Sequence, residues 1–411
     1  IARVFDLDQK LVFQIVSSAC GGLFVILFPY AILSFKGSAP WKPFLLVAGL
    51  ACGANQLFFG HVEDYTLVYL FIVAVLVLAW KLFDGDNSLF LIVVVFLIGP
   101  RLHPGMVLFL PALLYLFLYS KSQKHPHLKK WIQPRNILVA LGLTLVGGAL
   151  AYFFLFKADR LLVGDQKERG GKVFLPLVNL FPPPHNYTLL SFNHLSDIVQ
   201  ELLLTVSPGA VILLCLGIAF YRNVRWNAPR TIFFGIAAFY FMLFNLTVNP
   251  LLTPERDWDL LSLAAAPVLF FAVALSRDWF ERLRESSFPG IFVGISLALA
   301  VISCSLFYVN SDPMKAGHRL RSLGTWVFKS YYLGSAYMLN VGAKYMPDRA
   351  AEIDERLRAL GELEPLKSTP DLEVGFLYHK VADQLYLDGR YTEAGRFYSK
   401  SLHEDPANAS A

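Results

Sequence analysis

The run Tyr65 to Phe83, YTLVYLFIVAVLVLAWKLF, has no charge before Lys81 and lies between two polar stretches, Gly60-His61-Val62-Glu63-Asp64 and Asp84-Gly85-Asp86-Asn87. A helix needs about 20 apolar residues to cross roughly 30 Å of hydrocarbon, so the run reads as a membrane span with its polar ends in view. The rest of the chain is alike: of 411 residues 55% are hydrophobic and only 16% charged, with mean hydropathy +0.50. That composition excludes a disordered chain, a coiled coil, a disulfide-stapled secreted module and a water-soluble enzyme. By the same length rule the sequence predicts ten spans, near 11–34, 44–59, 65–83, 88–100, 104–119, 136–156, 205–221, 231–248, 260–276 and 290–309. The fourth and fifth meet at Pro100-Arg101-Leu102-His103-Pro104-Gly105, where two prolines and a glycine predict a tight turn rather than one continuous helix.

Basic residues in short loops are retained on the cytoplasmic side. Alternate loops differ sharply: Lys36, Lys42, Lys81, the cluster Lys121 to Arg135, Arg222, Arg225, Arg230, Arg277, Arg282 and Arg284 fall in one set, against only Arg101 and Arg256 in the other. The first set is expected to be cytoplasmic. The 157–204 loop and the tail after Val309 are then expected outside. Within that loop Leu195, Ile198, Val199 and Leu202 recur opposite Asp197, Gln200 and Glu201, which predicts a helix lying in the outer interface. The net charge of +5 calls for no nucleic-acid partner, and Cys20, Cys52, Cys215 and Cys304 lack CxxC spacing, so no metal site is expected. Asp84-Gly85-Asp86-Asn87 is too short for a calcium loop and reads as a solvated turn.

Beyond Asn310 the chain becomes charged and helical in pattern, so the expected division is a membrane domain over 1–310 and a soluble tail over 311–411. Tyr378, Val381, Ala382, Leu385, Gly389, Tyr391, Ala394, Tyr398 and Pro406 sit at the offsets of a helix-turn-helix repeat over 375–408. This pattern resembles a tetratricopeptide repeat, with Ser401 where Ala is preferred. A lone repeat cannot bury its apolar face, so further repeats are expected after Ala411.

Three mixed-charge clusters fall on the expected outer side: His61, Glu63 and Asp64; Arg101 and His103; Glu255, Arg256, Asp257 and Asp259. Charges at span ends face water, a partner or a cavity, and three on one face point to a shared outward site. A carboxylate there serves as base toward a hydroxyl, and Arg with His holds a phosphate leaving group by charge-assisted hydrogen bonds. No Gly-rich nucleotide loop is present in the sequence.

The run Phe59 to Leu67, with Glu63 and Tyr65, resembles the helix-end motif of multi-pass proteins related to protein O-mannosyltransferases. Gly99 to Leu113, with His103, is similar to their Gly-and-His segment, and Pro254 to Trp258 to their Arg-Asp-aromatic motif. The resemblance spans most of 11–276 and rests on order and spacing. It implies an all-α, GT-C-like polytopic bundle followed by the tetratricopeptide-like tail, acting as a glycosyltransferase. A sugar such as mannose would pass from a polyprenyl-phosphate donor to a protein or other hydroxyl acceptor, without a cofactor, in the bacterial inner membrane with the tail on the non-cytoplasmic side. Glu63, Asp64 and Asp257 become catalytic candidates, and Arg101, His103 and Arg256 candidates for the donor phosphate. One departure stands out. The family's leading Asp lies in a first outer loop after a first helix, and neither is found before Leu11, so both are expected to lie outside this chain or to have been lost. The competing expectation is a non-catalytic membrane subunit whose tail assembles protein partners.

Overall fold

The computed structural model describes residues 9–36, 41–59, 65–125, 188–206, 208–219, 221–248, 258–282, 312–330, 335–367 and 371–406, with isolated positions between 127 and 175 and between 290 and 308. No extended strand occurs among them. The predicted spans 136–156 and 290–309 fall largely outside these residues. Five described helices are long and apolar enough to cross a membrane, or up to six if one bent pair forms a single span, which makes this a multi-pass helical bundle. The chain divides into two compact units: Ile1–Ala158, Ser196–Val248 and Trp258–Ser303 in the first; Asp159–Leu195, Asn249–Asp257 and Cys304–Ala411 in the second.

The first unit holds α1 (Gln9–Ser34), α2 (Trp41–Leu50), α3 (Tyr65–Phe83), α4 (Leu89–Leu102), α5 (Leu110–Lys124), α6 (Phe192–Thr205, entering this unit at Ser196), α7 (Pro208–Ala219), α8 (Pro229–Thr247) and α9 (Ala265–Arg282). α9 is the axis. It packs against α2, α3, α7 and α8, and the span Trp258–Arg277 is 89% buried where Leu11–Ser34 is 22%. Small residues explain the position: Ala264, Ala265, Ala266, Ala272 and Ala274 let neighbouring helices approach while Leu269, Phe270 and Val273 fill the spaces between them. α1, with Leu23, Val25, Ile26 and Leu33 exposed, presents an apolar outer surface suited to lipid.

Two sequence expectations change here. The segment 44–59 is not one span. α2 stops at Leu50, Cys52 turns extended, and a 3-10 turn runs over Gly53–Phe58. The break is held by Asn55, whose Nδ2 donates to the last carbonyls of α2, Gly49 at 2.8 Å and Leu50 at 2.9 Å. It is also sterically required, because a Cβ on Gly53 would sit 1.7 Å from the Leu204 carbonyl oxygen. The second change concerns α6, which forms as expected but turns its polar stripe inward. Asp197, Glu201 and Thr205 are buried whereas Val199, Leu203 and Leu204 are exposed. α6 and α7 meet at a bend of 118°.

The second unit contains α10 (Pro313–Ser330), α11 (Ser335–Ala343), α12 (Arg349–Leu363), α13 (Leu372–Leu387) and α14 (Tyr391–Glu404). α10 and α11 approach backbone to backbone, since a Cβ on Gly317 would lie 2.7 Å from the Gly342 carbonyl oxygen. Phe328, Leu339, Ile353, Leu360, Leu377 and Val381 share one core. Side-chain caps start two helices: Asp348 accepts from the Ala351 N–H at 2.8 Å, and Asp371 from the Glu373 and Val374 N–H groups. α13 and α14 form the hairpin expected from sequence. Gly389 turns it at φ +74°, Tyr378, Val381, Ala382, Leu385 and Ala394 are buried, and α14 ends at Glu404, before Pro406. Ser401 is buried and donates to the Gly375 carbonyl at 2.9 Å, tying α14 to α13.

Candidate functional site at one end of the membrane bundle

The helices of the first unit have two polar ends of opposite character. At one end the loop after α3 carries Asp84, whose side chain is only 5% exposed. Its carboxylate accepts from Arg230 at 2.5 Å and from the Lys36 backbone N–H at 2.9 Å, with Arg277 at 4.0 Å. Arg230 lies over the Trp80 ring at 4.5 Å and Arg277 over Trp41 at 5.7 Å, and the two indoles are 4.9 Å apart. The sequence expectation of a wholly solvated turn is therefore corrected at Asp84: the turn exists, with Gly85 at φ +94° and Asp86 exposed, but Asp84 points inward because two arginines require a counter-ion there. The Phe83 ring lies 5.4 Å from that of Tyr119, two residues before Lys121, in a tilted contact. Members of all five basic loops thus gather at this end.

The opposite end holds Arg101, His103 and the described flanks of the other two clusters. His103 closes α4 with its N–H on the Gly99 carbonyl at 3.0 Å and opens the next turn, its Nδ1 accepting from the Gly105 N–H at 3.0 Å. An accepting Nδ1 places the imidazole proton on Nε2. The ring lies 5.0 Å from Tyr65, the first residue of α3. Beside it a Cβ on Gly105 would meet Leu263 at 3.3 Å, in the turn that leads from Trp258 into α9. Arg101 is exposed and forms no ion pair among the described residues.

Uncharged polar groups complete this end. Ser17 and Thr66 both donate to the Leu57 carbonyl, at 2.6 and 2.9 Å, where the 3-10 turn finishes. Asn245 donates to the Leu261 carbonyl at 2.7 Å. Asp259, buried, accepts from the Leu260 N–H at 2.8 Å, and Ser262 donates back to the Asp259 carbonyl at 2.6 Å. Cys52 Sγ donates to the Thr205 carbonyl at 2.7 Å. Each interruption of a helix near this end leaves backbone groups that apolar surroundings cannot satisfy, and a short polar side chain answers each one.

Glu63, Asp64, Arg256 and Asp257 lie outside the described residues. The structure brings Tyr65, His103 and the Leu261–Leu263 turn together, so the segments that follow Asp64 and Asp257 and the segment that carries Arg101 share one end. Sequence reading missed Asn245 and Cys52. A lone Asn inside the apolar run of α8 was the available signal. Among the described residues no three His, Cys, Asp or Glu side chains converge as metal ligands.

Fold and site define a multi-pass helical membrane bundle followed by a second unit whose described elements are helices. No family model, curated protein or solved structure matches the chain.

Proposed function

We propose that the protein is a membrane glycosyltransferase of GT-C type, in a bacterial plasma membrane, moving a sugar from a polyprenyl-phosphate carrier to a hydroxyl acceptor on the non-cytoplasmic face. The observation that carries this reading is the pair Arg101 and His103. Arg101 is exposed and donor-only, and His103, its Nδ1 accepting from Gly105, carries its ring proton on Nε2. Donors of this kind suit a phosphate that gains charge as it leaves. In the transfer the acceptor oxygen bonds to the anomeric carbon, the bond from that carbon to the phosphate oxygen breaks, and the hydroxyl proton passes to a carboxylate. Glu63 is assigned to that carboxylate's site, with Asp64 and Asp257 as its companions and Arg256 as a third donor to phosphate. The gathering of the basic loops at the far end supports the sidedness through the retention of Lys and Arg in the cytoplasm.

The α13–α14 hairpin, with its glycine turn and buried alanines, supports the tetratricopeptide-like reading of the tail. A second reading, a non-catalytic membrane subunit that assembles partners, is favoured by Tyr386 and Tyr391, exposed at 56% and 64% with rings 5.2 Å apart on that hairpin. Donor binding separates the two. Full-length protein in nanodiscs is titrated with polyprenyl-phosphate mannose, and Arg101→Ala and His103→Gln are each expected to weaken binding about ten- to hundredfold. Unchanged binding in both variants removes the phosphate assignment and leaves the scaffold reading.

A further inference from the structure

An apolar cleft of about 360 Å³ lies between α1, α3 and α4, with Phe24, Leu27, Ala31, Ala74, Leu78 and Val95 among its walls. Its length follows from α1: seven residues from Phe24 to Ala31 rise about 10.5 Å. An apolar cleft of that length accommodates a stretch of hydrocarbon chain. Leu27, 53% exposed, marks the side open to the surroundings, which for these membrane-spanning helices are lipid.

The cleft is directed. On α3 the wall residues Leu70, Ala74, Val77 and Leu78 recur at helical spacing, and the next position on that face is Lys81. Lys81 is half-buried, and its ammonium makes no hydrogen bond or ion pair among the described residues. The neighbouring cations are engaged: Lys42 donates to the Leu33 and Phe35 carbonyls at the end of α1, Arg230 binds Asp84, and Lys36 faces Asp86. A free cation one turn beyond an apolar cleft that opens to lipid matches a lipid whose headgroup is anionic.

We infer that this cleft is a binding site for one acyl chain of an anionic phospholipid, its phosphate on Lys81. The site opens at the Asp84 end of the bundle, opposite Arg101 and His103, and does not rest on the transferase reading. The test uses the full chain in nanodiscs containing phosphatidylglycerol or phosphatidylcholine with a photoactivatable acyl chain, followed by peptide mapping. Label is expected on residues 70–78, with phosphatidylglycerol favoured about fivefold, the share of one lysine contact. Ala74→Trp, which fills the cleft, is expected to abolish that label, and Lys81→Ala to keep it while erasing the headgroup preference. Should Ala74→Trp not give folded protein by gel filtration, Lys81→Ala decides alone. Equal labelling by both lipids, label unchanged by Ala74→Trp, a preference surviving Lys81→Ala, or a crosslink from 70–78 to another segment or a second copy in place of lipid each overturns the inference.

Discussion

The two ends of the membrane bundle satisfy their polar groups in different ways. At the Asp84 end full charges meet: one buried carboxylate serves Arg230, Arg277 and the Lys36 N–H, and two indoles face the guanidinium groups. At the His103 end, apart from the Asp259 carboxylate on the Leu260 N–H, short uncharged side chains meet broken backbone, with Ser17, Thr66, Asn245 and Cys52 each on a carbonyl, while Arg101 stays in the open. The contrast teaches where energy is held and where chemistry is available. An ion-pair network around one buried carboxylate locks helix ends together. An end held mainly by neutral contacts keeps its exposed cation for a ligand.

The largest expected effect breaks the first end. Asp84→Ala leaves Arg230 buried beside an empty position and is expected to cost about 3–5 kcal/mol. Asp84→Leu combined with Arg230→Leu is expected to cost less than the sum of the two single changes, since Arg230, the more buried of the two arginines, is then not left beside a missing carboxylate. Denaturation in detergent micelles with a double-mutant cycle reads both. A loss below about 1 kcal/mol for Asp84→Ala would show that this end is held by its aromatics alone.

The second end is expected to respond more gently. Asn245→Ala strands the buried Leu261 carbonyl and is expected to cost about 1–3 kcal/mol. Arg101→Ala, by contrast, is expected to shift stability by no more than about 0.5 kcal/mol while weakening donor binding. Equal destabilisation by Arg101→Ala and Asn245→Ala would erase the distinction between an exposed functional cation and a structural amide.

Smaller effects are expected at the α13–α14 hairpin of the second unit. Gly389 has φ +74°, a left-handed conformation that costs an L side chain about 1 kcal/mol, so Gly389→Ala is expected to lower the unfolding free energy by that amount. The smallest effect is a pH dependence. Burial pulls the Asp383 carboxyl up, but hydrogen bonds from Lys380 and Tyr398 and the nearby His379 outweigh it and hold the group below its ordinary value of 3.8. Burial and the bond to Asp383 push Tyr398 up to about 12. A lowered carboxyl stabilises the fold above the unfolded value and loses that contribution as pH falls through the folded one. A raised phenol stabilises below its unfolded value near 10 and loses its share as pH rises toward 12. The α13–α14 hairpin is expected to weaken below about pH 4 and above about pH 10, with Tyr398→Phe removing the alkaline loss. Circular dichroism against pH checks both limbs.

Much of this organisation was legible in the chain. Tyr65–Phe83 was delimited by its own apolar length, and the turn at Pro100 to Gly105 by residues that cannot continue a helix; the structure places the α4 end and His103 there. The α13–α14 hairpin was legible because small residues, a left-handed glycine and a following proline are local requirements. Asp84 was not, because a carboxylate in an Asp-Gly turn looks the same whether its partners are water or an arginine 146 positions away. The site was legible in part: its three clusters were named from charge pattern, but the Tyr65–His103 contact and the Asn245 bond join residues 38 and 16 positions apart.

By itself the sequence determined that this is a multi-pass helical membrane protein with a helical hairpin in its tail, because apolar length, periodicity and turn chemistry act within a few residues. Only the tertiary structure decided that α2 breaks at Cys52, that α6 turns its carboxylates inward, and that Asp84 closes one end of the bundle. Each depends on which neighbour arrives: the Leu204 carbonyl against Gly53, the bundle around α6, and Arg230 and Arg277 from distant helices. An amphipathic stripe shows that a helix has two faces, and the packing of the other helices selects which one is buried.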